Sequence, residues 1–264
     1  MPTVGLNGIE IYYERRGHGP RLLFFNGSGA TLTSSGPLIW SFADRFDVAA
    51  HDQRGLGLTS IPPGPYTMAD YAADAAALLD HLGWKTCRVI GVSFGGMVAQ
   101  EFAVTWPDRV ERLALLCTSP GGSGGASYPL HELADLPADA RAPIALHILD
   151  TRFSPEWLAE HPSDRAIVDL MAARADAVRT TDQLRGEREQ LTARRHHDVS
   201  QRLSAITCPT LVACGRYDGI APLANSEWIA THVRGAELRI YEGGHVFFLQ
   251  DSRAIVDVTA FLGG

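Results

Sequence analysis

Apolar positions along the chain follow two rhythms. Short apolar-rich runs occur at Val4-Gly5-Leu6, Ile9–Tyr13, Leu22–Phe25, Val48–Ala50, Arg88–Val92, Leu113–Cys117, Thr210–Ala213 and Glu237–Tyr241. The six runs from Leu22–Phe25 onward predict strands covered on both faces, as in parallel sheets. The two before them flank Asn7-Gly8, the strongest short hairpin signal. Helical spacing falls between most of the others. Thr67 to Leu82 opens with Thr-x-x-Asp (Thr67, Asp70) and stops at Gly83. Gly95 to Trp106 is closed by Pro107, and Leu223 to Val233 and Ser252 to Leu262 follow. Alternating β and α units predict an α/β fold with a mostly parallel, doubly wound sheet.

The alternation breaks between Pro120 and Leu203. That stretch opens with the flexible Gly121-Gly122-Ser123-Gly124-Gly125 and carries helical patterns over Asp164 to Val178, with Ser163 as N-cap, and Asp182 to Arg195. It has no strand signal, and the sheet resumes at Cys208-Pro209-Thr210. The expected division is a core of residues 1–119 and 206–264 with a helical cap insertion over 120–205.

Composition narrows the classes. With 264 residues, 45% hydrophobic and 20% charged, the chain is too apolar for disorder and too charged for a membrane bundle. No apolar run approaches the roughly 18–20 residues that span a bilayer. Met1 to Glu10 lacks the basic and apolar regions of a signal peptide, so a cytoplasmic location and no membrane partner are expected. The net charge is −7, and Lys85 is the only lysine among 23 basic residues. No basic stripe tracks phosphates, which argues against a nucleic-acid partner. Cys87, Cys117, Cys208 and Cys214 show no metal-ligand spacing and read as buried reduced thiols. No metal or cofactor is expected, and a homo-oligomer is left open.

The most informative stretch is Gly91-Val92-Ser93-Phe94-Gly95, where a buried strand runs directly into a helix. Gly-x-Ser-x-Gly in that setting lifts the serine hydroxyl above the sheet, next to free N–H groups of a helix N-terminus. The other reading is a serine in a glycine-rich turn. A serine nucleophile needs a base and an orienting carboxylate. Of ten histidines, His245 follows the strand ending at Tyr241, at the sheet end where ligands bind. His196 and His197 read as solvated or capping, and His51 closes a strand. Asp218 lies just beyond the strand Thr210–Ala213, with a helix-entrance cap as its alternative role. Asp52 is the rival acid, more simply read as a turn-bracing partner of Arg54 or Arg45. The order Ser93, Asp218, His245 matches one serine-hydrolase fold and not the others. Backbone amides of Phe94 and of Ser28, in Asn26-Gly27-Ser28-Gly29, are the candidate oxyanion donors. A phosphate-binding Gly-x-x-x-x-Gly-Lys-Ser/Thr and a dinucleotide Gly-x-Gly-x-x-Gly are both absent.

These motifs, together with Asp52-Gln53-Arg54-Gly55 and Gly244-His245, resemble the α/β-hydrolase fold superfamily in its capped branch. The resemblance covers about residues 1–119 and 206–264 and implies an eight-stranded sheet. It carries the nucleophile, acid and base onto Ser93, Asp218 and His245, and the oxyanion amides onto Ser28 and Phe94. Most members have His-Gly where this chain has Asn26-Gly27. That asparagine, with Pro62-Pro63-Gly64-Pro65-Tyr66-Thr67, gives a partial likeness to the 3-oxoadipate enol-lactonase group. The expected activity is hydrolysis of small carboxylic esters or lactones through an acyl-enzyme. C–C bond hydrolysis or lyase chemistry on the same residues is one alternative, and a slow-turnover ligand receptor is another. Phe94, Phe247, Phe248 and Trp157 are candidates for an apolar pocket, or for core.

Overall fold

A computed structural model of the chain describes residues 2–175 and 178–264. All eight expected strands are present: β1 (Thr3–Leu6), β2 (Ile9–Arg16), β3 (Arg21–Phe25), β4 (Asp47–His51), β5 (Cys87–Val92), β6 (Val110–Leu116), β7 (Thr210–Gly215) and β8 (Glu237–Tyr241). They form one sheet in the order β1-β2-β4-β3-β5-β6-β7-β8. β1 and β2 pair antiparallel, β2 is antiparallel to β4, and every later pairing is parallel. The hairpin between β1 and β2 turns on Asn7 (φ 49°) and Gly8 (φ 77°). Both central residues are left-handed, as a turn matched to the strand twist requires.

Period-two alternation explains how the strands bury both faces. Leu23 and Phe25 of β3 join the core on one face, and Leu22 and Phe24 join the core on the other. The first face is covered by α2 (Met68–His81), α3 (Phe94–Thr105) and α9 (Leu223–His232), through Leu79, Phe102 and Ile229. The second is covered by α1 (Leu32–Trp40) and α11 (Arg253–Gly263), through Ile39, Val258 and Leu262. Helix α2 starts as expected, with Thr67 and Asp70 in a reciprocal capping box.

Between β6 and β7 lie α4 (Leu130–Ala134), α5 (Ala138–Leu149), α6 (Pro155–Glu160), α7 (Pro162–Ala175) and α8 (Thr181–Arg195). The bridge Gly121↔Asp198 ties the two ends of this segment together. Helix α7 begins at Pro162, so Ser163 lies inside it rather than capping it, and 176–177 of the expected helix lie outside the described residues. Helices α1, α4, α5, α6 and the short α10 (Phe247–Gln250) have no clear signature in the apolar pattern. The reason is local: α1 and α5 carry Pro37 and Pro143 internally, and the other three are six residues or fewer. Among the described residues no helix is long and apolar enough to cross a membrane.

Candidate active site

Ser93 occupies the single residue between β5 and α3, at φ 56° and ψ −116°. Serine is strained in that region by roughly 1–3 kcal/mol, so the surroundings must hold it there. They do so through backbone bonds. Ser93 N donates to Leu116 O at 2.8 Å, and the Ser93 carbonyl accepts from Gly96 N, Met97 N and Thr118 Oγ1. The flanking glycines are required by close approach. A Cβ on Gly91 would lie 2.3 Å from the Gly95 carbonyl oxygen, and one on Gly95 would lie 2.2 Å from the Phe25 carbonyl oxygen. Gly95→Ala is therefore expected to destabilise the protein by about 1–3 kcal/mol, by overpacking against backbone that cannot rotate away. Urea unfolding of the variant checks this, and an unchanged midpoint would contradict it.

The other two residues arrive from neighbouring strand ends. Asp218 follows β7 and His245 follows β8. His245 Nε2 lies 2.8 Å from Ser93 Oγ, and His245 Nδ1 lies 2.8 and 3.0 Å from the Asp218 oxygens. A carboxylate only accepts, which assigns the imidazole proton to Nδ1 and leaves Nε2 to accept from the serine hydroxyl. Asp218 Oδ1 also accepts from Ile220 N and Ala221 N, each at 2.8 Å. Asp218 therefore braces the turn before α9 and does not cap that helix, whose N-cap is Pro222 with no side-chain cap bond.

Residues 26–28, which follow β3, pass over the serine. A Cβ on Gly27 would sit 3.6 Å from Ser93 Cβ, an ordinary contact distance. The amides of Ser28 and Phe94 have no hydrogen-bond acceptor among the described residues. Gln53 Nε2 braces the loop by donating to the Asn26 carbonyl at 2.7 Å, and Gly29 N donates to Gln190 Oε1 of α8. The Asn26 side-chain amine is buried without a partner, so the side chain does not take over bracing through that nitrogen.

The rival acid is accounted for differently than expected. Asp52 pairs with neither Arg54 nor Arg45. Its carboxylate accepts from Leu32 N at 2.7 Å and Leu58 N at 2.9 Å, with burial pushing its pKa up. Arg54 instead makes a two-pronged bond to Asp74 at 2.7 and 2.8 Å. His197 departs from the sequence reading as well, because it is buried. His51 is also buried, with Nδ1 unpaired. Burial pulls both imidazoles down to about 4.

A cavity of about 400 Å³ opens at Ser93 and His245. Its apolar lining includes Leu38, Leu130, Leu170, Met171, Ile220 and Phe248. Of the four expected aromatics only Phe248 lines it. Phe94 packs edge-on to Tyr71, Phe247 stacks on Tyr241, and Trp157 stacks on His161. Phe94 and Phe247 are fully buried in the core, and Trp157 is not among the residues lining the cavity. Sequence reasoning also missed the supports of the histidine loop. His245 N donates to the Leu149 carbonyl at 2.6 Å, and Gly219 N donates to the Ile148 carbonyl. Gln250 accepts from Gly244 N and donates to Asp150 and Asp164. No local signal could reveal these contacts, which join the α5 and α7 region to a strand end some 100 residues later. Among the described residues, no group of three His, Cys, Asp or Glu is placed to hold a metal ion.

Known proteins with this architecture are consistent with the geometry. A family model described as alpha/beta hydrolase fold matches residues 20–252. A poly(3-hydroxyalkanoate) depolymerase from Ectopseudomonas oleovorans is 31% identical over 97% of this chain and 89% of its own length. A 3-oxoadipate enol-lactonase from Acinetobacter baylyi is 26% identical over 96% and 92%. The crystal structure of the enol-lactonase from Burkholderia xenovorans LB400 superposes with a TM-score of 0.82, at 26% identity and complete coverage of both chains. The strand order, the strained serine turn and this match over most of the chain agree: the protein belongs to the α/β-hydrolase family.

Proposed function

We propose that this protein is a serine hydrolase of small carboxylic esters or lactones. The observation that carries the reading is the chain of hydrogen bonds from Ser93 Oγ through His245 to Asp218, at 2.8 Å on each side of the imidazole. Ser93 Oγ attacks the carbonyl carbon while His245 Nε2 takes its proton. Asp218 holds the tautomer and stabilises the imidazolium. The Ser28 and Phe94 amides, free of protein acceptors, bind the oxyanion. His245 then protonates the leaving alcohol, which for a lactone stays attached to the acyl chain. Water activated by the same imidazole releases the acid and regenerates the serine.

The segment 120–205 is read as a cap. Leu130, Leu170 and Met171 from this segment line the cavity, so it supplies much of the substrate's apolar surroundings. The depolymerase and enol-lactonase names of the relatives fit ester and lactone substrates. The test is pre-steady-state release from a short-chain p-nitrophenyl ester. A burst of about one p-nitrophenol per chain, with stoichiometric labelling by an organophosphate, is expected. A folded protein that gives neither burst nor label would overturn the proposal.

A further inference from the structure

We infer that a smaller cavity, reached along α3 one helical turn beyond Ser93, is a carboxylate-binding pocket anchored by Arg194. The inference rests on the serine-hydrolase reading for its link to catalysis, though not for binding itself. The cavity measures about 160 Å³ and lies where the end of α8 meets the first turns of α3 and the chain leaving β6. Arg194 is 5% exposed and, among the described residues, has no carboxylate within salt-bridge distance. Its Nη1 donates to the Tyr128 carbonyl at 2.6 Å, while Nε is buried with no partner. Ser119 and His197 also line the cavity, and Ser119 Oγ is buried without a partner among the described residues.

A buried guanidinium without a counter-charge is costly, and so is each buried donor left unpaired. Burial lowers Arg194 to about 10, so it keeps its charge at neutral pH, helped by the more distant Asp218. Two arginines and two histidines line the cavity, and no aspartate or glutamate does. With Nη1 committed to the Tyr128 carbonyl, the charged guanidinium can offer a carboxylate a charge-assisted hydrogen bond. One buried positive charge calls for one negative charge, which favours a monoanionic carboxylate over a phosphate dianion. The volume exceeds the roughly 30 Å³ of one water several-fold, leaving room for a short carbon arm. Two of its lining residues belong to the segments that hold the Ser93 turn. Met97 lies one helical turn beyond Ser93, and Ser119 follows Thr118, whose hydroxyl holds the Ser93 carbonyl.

The carboxylate can be the far end of an acidic substrate or a free acid. Two assays on the full chain, each with Arg194→Met, decide the matter. Titration calorimetry with butyrate and succinate reads binding directly. Rates with p-nitrophenyl hemiglutarate and p-nitrophenyl valerate read substrate preference. The wild type is expected to bind a carboxylate and to favour the acidic ester at least tenfold in kcat/KM. Arg194→Met should lower that ratio tenfold and abolish the binding heat, with its thermal midpoint checked separately. Should that variant not fold, Ser119→Ala is expected to lower the ratio and the affinity about threefold. Competitive inhibition of valerate hydrolysis by butyrate would identify the free acid as an occupant. Preference for the hemiglutarate without such inhibition would identify the substrate arm. Ratios and affinities unchanged by both substitutions, or binding of inorganic phosphate in preference to carboxylates, would overturn the proposal. If no ester is turned over, the hydrolase reading falls while the calorimetry still decides the pocket.

Discussion

Ser93→Ala is expected to lower kcat for a short-chain p-nitrophenyl ester by about 10⁵–10⁶-fold, with no burst and no organophosphate label. In the proposed mechanism the hydroxyl supplies the bonding electron pair, and no neighbouring group on that turn can replace it. KM should change little, because the apolar lining and the backbone amides remain. Asp218→Asn should cost about 10⁴-fold, since an amide facing Nδ1 no longer enforces the productive tautomer. The two losses should not add, because the three side chains act as one unit. Stability should separate them. Removing the Ser93 hydroxyl removes only its bond to His245, whereas Asp218 also accepts from the Ile220 and Ala221 amides. Equal melting temperatures for the two variants, or a Ser93→Ala protein retaining a tenth of wild-type activity, would count against this account.

The second large effect is acid instability. His51 and His197 are buried and held near pKa 4, whereas an unfolded histidine titrates near 6.5. Between those values the unfolded chain binds protons that the folded chain refuses. Stability is therefore complete above about pH 6.5 and declines as pH falls toward about 4. Each histidine contributes a slope of about 1.4 kcal/mol per pH unit, or roughly 3 kcal/mol across the window. Two such groups amount to a large part of the 5–15 kcal/mol typical of a whole domain. Asp52, whose raised carboxyl gains a proton more readily in the folded state, opposes the decline at its acidic end. Urea titrations at pH 7.5, 6 and 5 read the slope. His51→Gln and His197→Gln should each remove about one proton's worth of it. A flat profile over that range would show that neither imidazole refuses its proton in the folded state.

Much of this architecture is legible in the chain because it depends on local pattern. Apolar runs mark the central strands β3 to β7, whose two faces are both buried, and all eight strands appear where the runs lie. The Thr67 and Asp70 pair predicts its own capping box, and Asn7-Gly8 predicts its own turn. The Gly91, Ser93 and Gly95 spacing is equally local, since strand, turn and helix are contiguous and the glycines are forced by contacts within a few residues or with the adjacent strand. Asp218 and His245 could be chosen because each follows a strand at the same end of the sheet.

Contacts between distant segments carry no such local signal. Phe94, Phe247 and Trp157 carry the same apolar signal as pocket residues, and only the fold buries the first two and leaves all three out of the cavity lining. The carbonyls of Ile148 and Leu149 support the loops bearing Asp218 and His245, yet a backbone carbonyl has no side-chain signature. Helices α1 and α5 tolerate internal prolines within the tertiary packing around them. Arg194 looks like any arginine near a helix end until burial removes its solvent. Periodicity determines which face of an element is apolar, and that much the chain encodes residue by residue. Which polar groups lose water and which find partners depends on segments far apart in the chain, so the surroundings of Ser93, Asp218 and His245 emerge only when the chain is folded.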